Sequence, residues 1–439
     1  MKAYKTYTHL NEFWLNNIPQ HWEQLKIKHV LTERSEKGFP KKPLLAATQN
    51  MGVVPKGVYG SRTVEATKDL HLLKLVKVGD FVISLRSFQG GIEYAYYEGI
   101  ISPAYNILTP KNQNNSGYLK YLFKTIDFIE LLKNCVTGIR EGQNIDYLKL
   151  RDHIIPIPPI SEREKIVRFL DWKVSMINTY IKAKKKQIEL LKEQKQAIIN
   201  QAVTKGLNPA TLMKDSGIDW LGKIPEGWEV GRLKTVTRLS NEKEIGNTKV
   251  YVGLENIESW TGKYICNTET EADSACNVFY KGNLLFGKLR PYLAKTWLAD
   301  FGGNCSSEFL VLSQFRIMSE YVYFLFFSKP FINNINASTY GAKMPRASWE
   351  FIGNCKIPIP SKPEQEQIIN FLNGICKKCD KLLKKERAQI SLLQEYRTRL
   401  ISDVVTGKVD VREVKVPEVV VENKAAVEID ELIEGIRWI

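Results

Sequence analysis

Apolar residues recur along part of this chain in alternating steps of four and three. Leu170, Val174, Ile177, Ile181, Ile188, Leu191, Ile198 and Ala202 mark the series, and Lys184 and Lys195 occupy the two positions that complete it. Sustained over about 40 residues, this spacing predicts the seam of a coiled coil. Pro158-Pro159 cannot continue a helix backwards, and Ser161 followed by Glu164 reads as a capping box, so this first helical arm is expected to start near residue 161; Gly206 and Pro209 end it. A second arm carries the seam at Leu372, Leu383, Ile390, Leu393, Leu400 and Val404. Outside the arms the period changes. Short β-branched and aromatic runs at 81–85, 249–252 and 284–286 sit between Gly, Pro and Asn clusters, while 118–134 carries a helical pattern, so those regions are mixed α and β.

The chain is a tandem repeat. Trp14-Leu15-Asn16-Asn17-Ile18-Pro19-Gln20-His21-Trp22-Glu23 returns 206 residues later as Trp220-Leu221-Gly222-Lys223-Ile224-Pro225-Glu226-Gly227-Trp228-Glu229, with six of ten positions identical. Residues 154–170 return at 356–372, and 187–204 at 389–406, both offset by 202. Between these anchors the match fades to a shared frame with a different surface. The reading is an α+β chain with two mixed α/β domains in tandem repeat, joined by two long helices whose equal length and common seam suit an antiparallel coiled coil. Its expected segments are a first domain at 1–160, an arm at 161–205, a second domain at 206–361, an arm at 362–408 and an acidic tail at 409–439.

At 439 residues, with 44% hydrophobic and 25% charged residues, the chain is long enough for several buried cores and is not a disordered polymer. Its 63 Lys+Arg against 48 Asp+Glu give a net charge of +15, which predicts a polyanionic partner. The excess lies on the first domain, the second domain and both arms; the tail is acidic, and its 429–439 stretch is amphipathic enough to dock on a surface. The run Lys182, Lys184, Lys185, Lys186 reads as a solvated helix face. No apolar run approaches the ~18 residues of a membrane span. The start, Met1-Lys2-Ala3-Tyr4-Lys5, has no apolar segment behind it, so a reducing cytoplasm and seven free cysteines are expected.

Catalytic motifs are missing from the sequence. It has no GxxxxGK[ST] loop, no GxGxxG after a strand, no HExxH and no Asn-Pro-Pro-aromatic segment. Glu162 and Glu164 could be forced into a nuclease pair, but acidic residues are favoured at a helix start by the macrodipole. Cys376-Lys377-Lys378-Cys379 looks like half a zinc site, yet the repeat sets 376 and 379 opposite Val174 and Ile177, at seam positions. A lone CxxC with no second pair is a weak metal signal.

The 220–229 phrase, Ile155-Pro156-Ile157-Pro158-Pro159, Val203-Thr204-Lys205-Gly206-Leu207-Asn208-Pro209 and Val404-Val405-Thr406-Gly407-Lys408-Val409-Asp410-Val411-Arg412 together resemble the specificity (S) subunit of type I restriction-modification enzymes, over nearly the whole chain. The resemblance implies two target-recognition domains, each reading half of a bipartite, asymmetric site in double-stranded DNA. The arms would dock methyltransferase (M) subunits, expected to be two, with restriction (R) subunits recruited through them. The chain itself would be non-catalytic and hold no cofactor; S-adenosylmethionine, ATP and magnesium would belong to the partners. A stand-alone methyltransferase or nuclease would need a catalytic motif, and a coiled-coil scaffold without sequence-specific binding would need arms that matter and domains that do not.

Base readout requires paired donors or acceptors on loops or helix ends. After the strand at 81–85 come Arg86, Ser87 and Gln89; after the equivalent strand come Lys288, Arg290 and Tyr292. Following Gly138 the first domain offers Arg140 and Gln143, and following Gly341 the second offers Lys343 and Arg346. Here the halves differ: Gly142-Gln143-Asn144-Ile145, a family-like phrase, has Met344-Pro345-Arg346-Ala347 opposite it. These ten residues are the candidate DNA contacts.

Overall fold

A computed structural model describes residues 2–49, 51–59, 69–138, 144–244, 250–266, 276–341 and 343–417. The chain divides into two compact units, residues 1–183 with 389–439 and residues 184–388. Neither unit is one continuous stretch of a domain and its own arm, because each arm helix contributes to both.

The first unit holds an antiparallel sheet in the order Leu31–Arg34, Asn106–Pro110, Phe81–Ile83, Glu93–Tyr94. The second repeats it as Arg238–Leu239, Phe309–Ser313, Leu284–Gly287, Thr296–Leu298. The strands Phe81–Ile83 and Leu284–Gly287 are buried on both faces, which is why 81–83 and 284–286 read as continuous apolar runs. The helical pattern at 118–134 forms two helices, Ser116–Leu122 and Ile126–Asn134. The break falls where the Thr125 hydroxyl accepts from Phe128 N and caps the second helix.

A two-stranded ladder closes each unit against its arm. Ile154–Ile157 pairs with Glu23–Lys26, and Lys356–Ile359 with Glu229–Arg232. Prolines at 156 and 358 lack an N–H, and a pair of only two strands leaves room for that. The buried Tyr118 hydroxyl shares its proton between the carbonyls of Pro156 (3.1 Å) and Val405 (2.7 Å), the latter at the end of the second arm. Tyr321 repeats this with Pro358 (3.1 Å) and Val203 (3.0 Å), at the end of the first. The Trp22 indole donates to Glu162 at 3.0 Å, as Trp228 does to Glu364 at 3.2 Å.

The arms are Ile160–Lys205 and Lys362–Val405. The first begins with the Pro159 carbonyl accepting from Glu162 N and Arg163 N, so Ser161 stands inside the first turn and does not act as the cap. In the second, Glu364 reaches back to Ser361 N at 3.1 Å, completing that half of a capping box. The two helices pack together antiparallel. Within the first unit Arg397 donates to Asn178; within the second, Lys184 meets Glu386 at 2.9 Å and Lys195 meets Asp380 at 3.0 Å. Leu170, Ile177, Ile181, Ala202, Leu372, Leu383, Leu400 and Val404 of the predicted seam are buried, while Lys182, Lys185 and Lys186 are exposed. Lys184 therefore belongs to the seam and not to the solvated run. No helix among the described residues is long and apolar enough to cross a membrane.

Candidate nucleic-acid interface

The second unit brings its candidates to one edge. Beyond the strand Leu284–Gly287 the chain stays paired: Lys288 N donates to Glu308 O (2.9 Å), Ala347 N to Lys288 O (3.0 Å) and Arg290 N to Pro345 O (2.7 Å). These bonds lay the segment after Gly341, whose φ is +90°, against the segment carrying Lys288 and Arg290. Arg290 (φ +52°) and Ala294 (φ +44°) are both left-handed and bracket the 3-10 turn Pro291–Leu293. Arg290, Tyr292 and Lys343 are exposed and Lys288 is half-buried.

Arg346 differs from the rest. Its Nε lies 3.1 Å from both oxygens of Glu308, and a terminal nitrogen lies 3.1 Å from Oε1. The hydrogen bond and charge of Glu308 hold its guanidinium above the usual arginine value. With its fork on a carboxylate, Arg346 braces the edge.

In the first unit the strand Phe81–Ile83 runs into the short helix Ser87–Gly90. Arg86 and Gln89 are exposed beside Leu85. Ser87 is buried, and its hydroxyl accepts from Ser84 N at 2.8 Å, which turns the chain after the strand. Gly91 has φ +82°, and a Cβ there would lie 2.2 Å from the Phe123 carbonyl, so only glycine fits. Lys124 Nζ donates to Gly90 O (2.9 Å) and Glu93 (2.6 Å), tying the end of this helix to the neighbouring strand. Burial raises the Glu93 carboxyl to about 7 against the opposing pull of Lys124. Arg140 and Gln143 lie outside the described residues, as do residues 418–439 of the acidic tail.

Glu308, Lys124 and Glu93 escaped the sequence reading because their partners lie 31 to 38 residues away and no local spacing marks them. Glu162, weighed above as half of a nuclease pair, is buried and accepts from Tyr4 Oη (2.5 Å) and Trp22 Nε1 (3.0 Å), with His21 Nε2 at 2.7 Å. Burial and this carboxylate push the Tyr4 hydroxyl far above its ordinary value. Among the described residues no three His, Cys, Asp or Glu side chains are grouped to hold a metal ion. Cys376 packs beside the core of the second unit, and burial raises its thiol.

Comparison with known proteins adds a family to this geometry. Residues 19–190 and 225–392 match the family model for the type I restriction modification DNA specificity domain. The chain is 24% identical over 316 residues to the type I restriction enzyme EcoDI specificity subunit of Escherichia coli, spanning 65% of this chain and 70% of that protein. It is 23% identical over 428 residues to the MjaVIII specificity subunit of Methanocaldococcus jannaschii, spanning 90% and 94%. A solved structure described as the structural basis of complex assembly and conformational transition of the type I R-M system is alike in fold, with a TM-score of 0.64 at 14% identity, over 89% of this chain and 99% of that one.

Proposed function

Because the chain belongs to the type I restriction-modification DNA specificity family, and is a specificity subunit that is itself non-catalytic, we propose that it reads a bipartite, asymmetric site in double-stranded DNA. Its first domain reads one half through Arg86 and Gln89, joined by Arg140 and Gln143. Its second reads the other half through Lys288, Arg290, Tyr292 and Lys343. Ser87 and Arg346 support these edges from within. The paired arms dock two methyltransferase subunits, which in turn carry the restriction subunits. The segments proposed for these roles are 1–160 and 206–361 for recognition, 161–205 and 362–408 for docking, with 409–439 as an acidic tail.

One observation carries the reading: main-chain hydrogen bonds draw Arg290 and the segment after Gly341 together at an exposed basic edge. Guanidinium groups pair bidentately with guanine in the major groove, and lysines nearby contact phosphate. The net charge of +15 suits the same partner.

Arg290→Ala tests the assignment. If Arg290 contacts a base, discrimination falls by about 1–3 kcal/mol at one position. A binding selection on the assembled complex should show relaxation in one half-site and an unchanged second half. Relaxation in both halves, or in neither, contradicts the role given to Arg290.

A further inference from the structure

Of the four described non-glycine residues with left-handed backbone in the second unit, three lie together; the fourth, Gln314 (φ +51°), follows the strand Phe309–Ser313. Trp260 has φ +62°, Arg290 +52° and Ala294 +44°, and the Trp260 indole Nε1 donates to the carbonyl of Tyr292 at 3.1 Å, in the middle of the turn that Arg290 and Ala294 bracket. For a side chain as bulky as tryptophan this conformation is strained, and such strain persists only where the surroundings hold it.

The surroundings are a hairpin. Ile257 and Tyr264 bridge, Glu258 N donates to Lys263 O (3.0 Å) and Ile265 N to Asn256 O (2.7 Å). Its tip makes two further ties. Gly262 (φ +69°) lies so close to Tyr323 of the helix Ser319–Leu325 that a Cβ would sit 2.1 Å from the hydroxyl. Lys263 Nζ lies 2.7 Å from Oδ2 of Asp380 on the second arm, while Oδ1 of the same carboxylate accepts from Lys195 of the first arm at 3.0 Å. Burial raises the Asp380 carboxyl, but the two ammonium groups outweigh it and hold it below the ordinary carboxylate value.

We propose that hairpin 257–264 is a strut joining the paired arms to the reading turn 290–294, and that Trp260 and Lys263 are positioning residues for base recognition by the second domain. The inference rests on the reading of that turn given above. A bidentate contact requires its guanidinium to be held within about 0.5 Å, and arginine reaches a base through a long flexible stem. Its Cα must therefore be fixed by the backbone. The Tyr292 carbonyl is the atom through which Trp260 does this, and Asp380 is the anchor at the other end. The indole N–H, already donating to that carbonyl, has no second hydrogen with which to touch a base.

Three variants test the strut in the complete chain assembled with its partners. Trp260→Phe removes the N–H and keeps most of the ring; Lys263→Met removes the charge and keeps the stem; Lys263→Arg keeps a cation for Asp380. The Lys263 side chain is 54% exposed, so its substitutions are not expected to unfold the unit. A binding selection with urea unfolding in parallel should show Trp260→Phe and Lys263→Met relaxing one half-site alone, by about three- to tenfold, and Lys263→Arg close to the parent. Parent-like discrimination in both Trp260→Phe and Lys263→Met overturns the strut, as does equal relaxation of both half-sites. Arg290→Ala in the same selection separates the two ideas. If it relaxes a half-site that the strut variants leave intact, the strut fails and the reading stands. If it changes nothing while the strut variants relax one half-site, the assignment of Arg290 fails and the strut serves another residue of the turn it holds, such as Tyr292.

Discussion

Gly206 and Gly407 lie just past the ends of the two arms, one position out of step in the repeat, with φ +74° and +75°, and their surroundings differ. A Cβ at 407 would lie 2.2 Å from Pro19 Cδ and 2.6 Å from its Cγ; at 206 the nearest atom is a Trp228 ring carbon at 3.3 Å. A left-handed side chain costs about 1–2 kcal/mol and overpacking a further ~1–3. Gly407→Ala is therefore expected to cost about 3 kcal/mol in urea unfolding, and Gly206→Ala nearer 1–2; equal costs would contradict the steric argument. Glu93 gives a pH dependence. Its pKa is raised from 4.5 to about 7 by burial against the pull of Lys124, so the folded state binds the proton more tightly than the unfolded chain. The associated stability is complete below 4.5 and is lost as pH rises through 7, by up to about 3 kcal/mol. Glu93→Gln should shrink the difference in unfolding free energy between pH 5 and pH 8, and an undiminished difference would count against it.

At the level of elements, the arms show how a repeat becomes asymmetric. Lys184 and Glu386 are the same repeat position, and they meet each other at 2.9 Å with side chains only 16% and 9% exposed. The Lys195–Asp380 ion pair of the second unit is matched in the first by Arg397 and Asn178, a cation on a neutral amide. Two copies of the first arm would set Lys184 against Lys184; opposite charges favour the pairing of one arm with the other. Breaking a buried pair strands a charge, whereas replacing both partners with apolar groups does not. Lys184→Met should destabilise the chain by about 3 kcal/mol, and Lys184→Met with Glu386→Leu should recover most of that loss in thermal unfolding. A double variant no better than the single would rule out a stranded charge as the cause.

For the molecule as a whole, the ends of the described chain meet within the first unit. Asp410 N donates to Lys2 O at 2.8 Å, Tyr7 Oη donates to Gly407 O at 3.2 Å, and Arg412 lies over the Tyr4 ring. Leu400, Val404, Val405 and Val411 complete a core whose other members come from the first 181 residues. Both compact units draw on the same pair of arms. As a non-catalytic specificity subunit the chain is expected, when purified alone, neither to methylate nor to cleave DNA with any combination of S-adenosylmethionine, ATP and magnesium. Methyl transfer should be seen once a methyltransferase subunit is added, assayed by label incorporation into duplex DNA; incorporation by this chain alone would refute that.

The tandem repeat, the two arms and the mixed α/β domains were legible in the sequence because each rests on local periodicity or on direct recurrence of residues. A seven-residue seam needs no partner to be recognised, and Trp22 and Trp228 announce the repeat by their neighbours alone. The candidate edge was legible only as a set of basic residues after equivalent strands. Tertiary structure decided their surroundings: Arg346 is held by Glu308, 38 residues distant, Ser87 turns inward to the backbone of Ser84, and Arg290 stays outward on a strained turn. The same division holds in the seam, where sequence spacing marks Lys184 as an exception and only packing supplies Glu386. Periodicity encodes which face of an element is apolar, but the partner of a charged or hydrogen-bonding group is set by where distant segments of the chain meet.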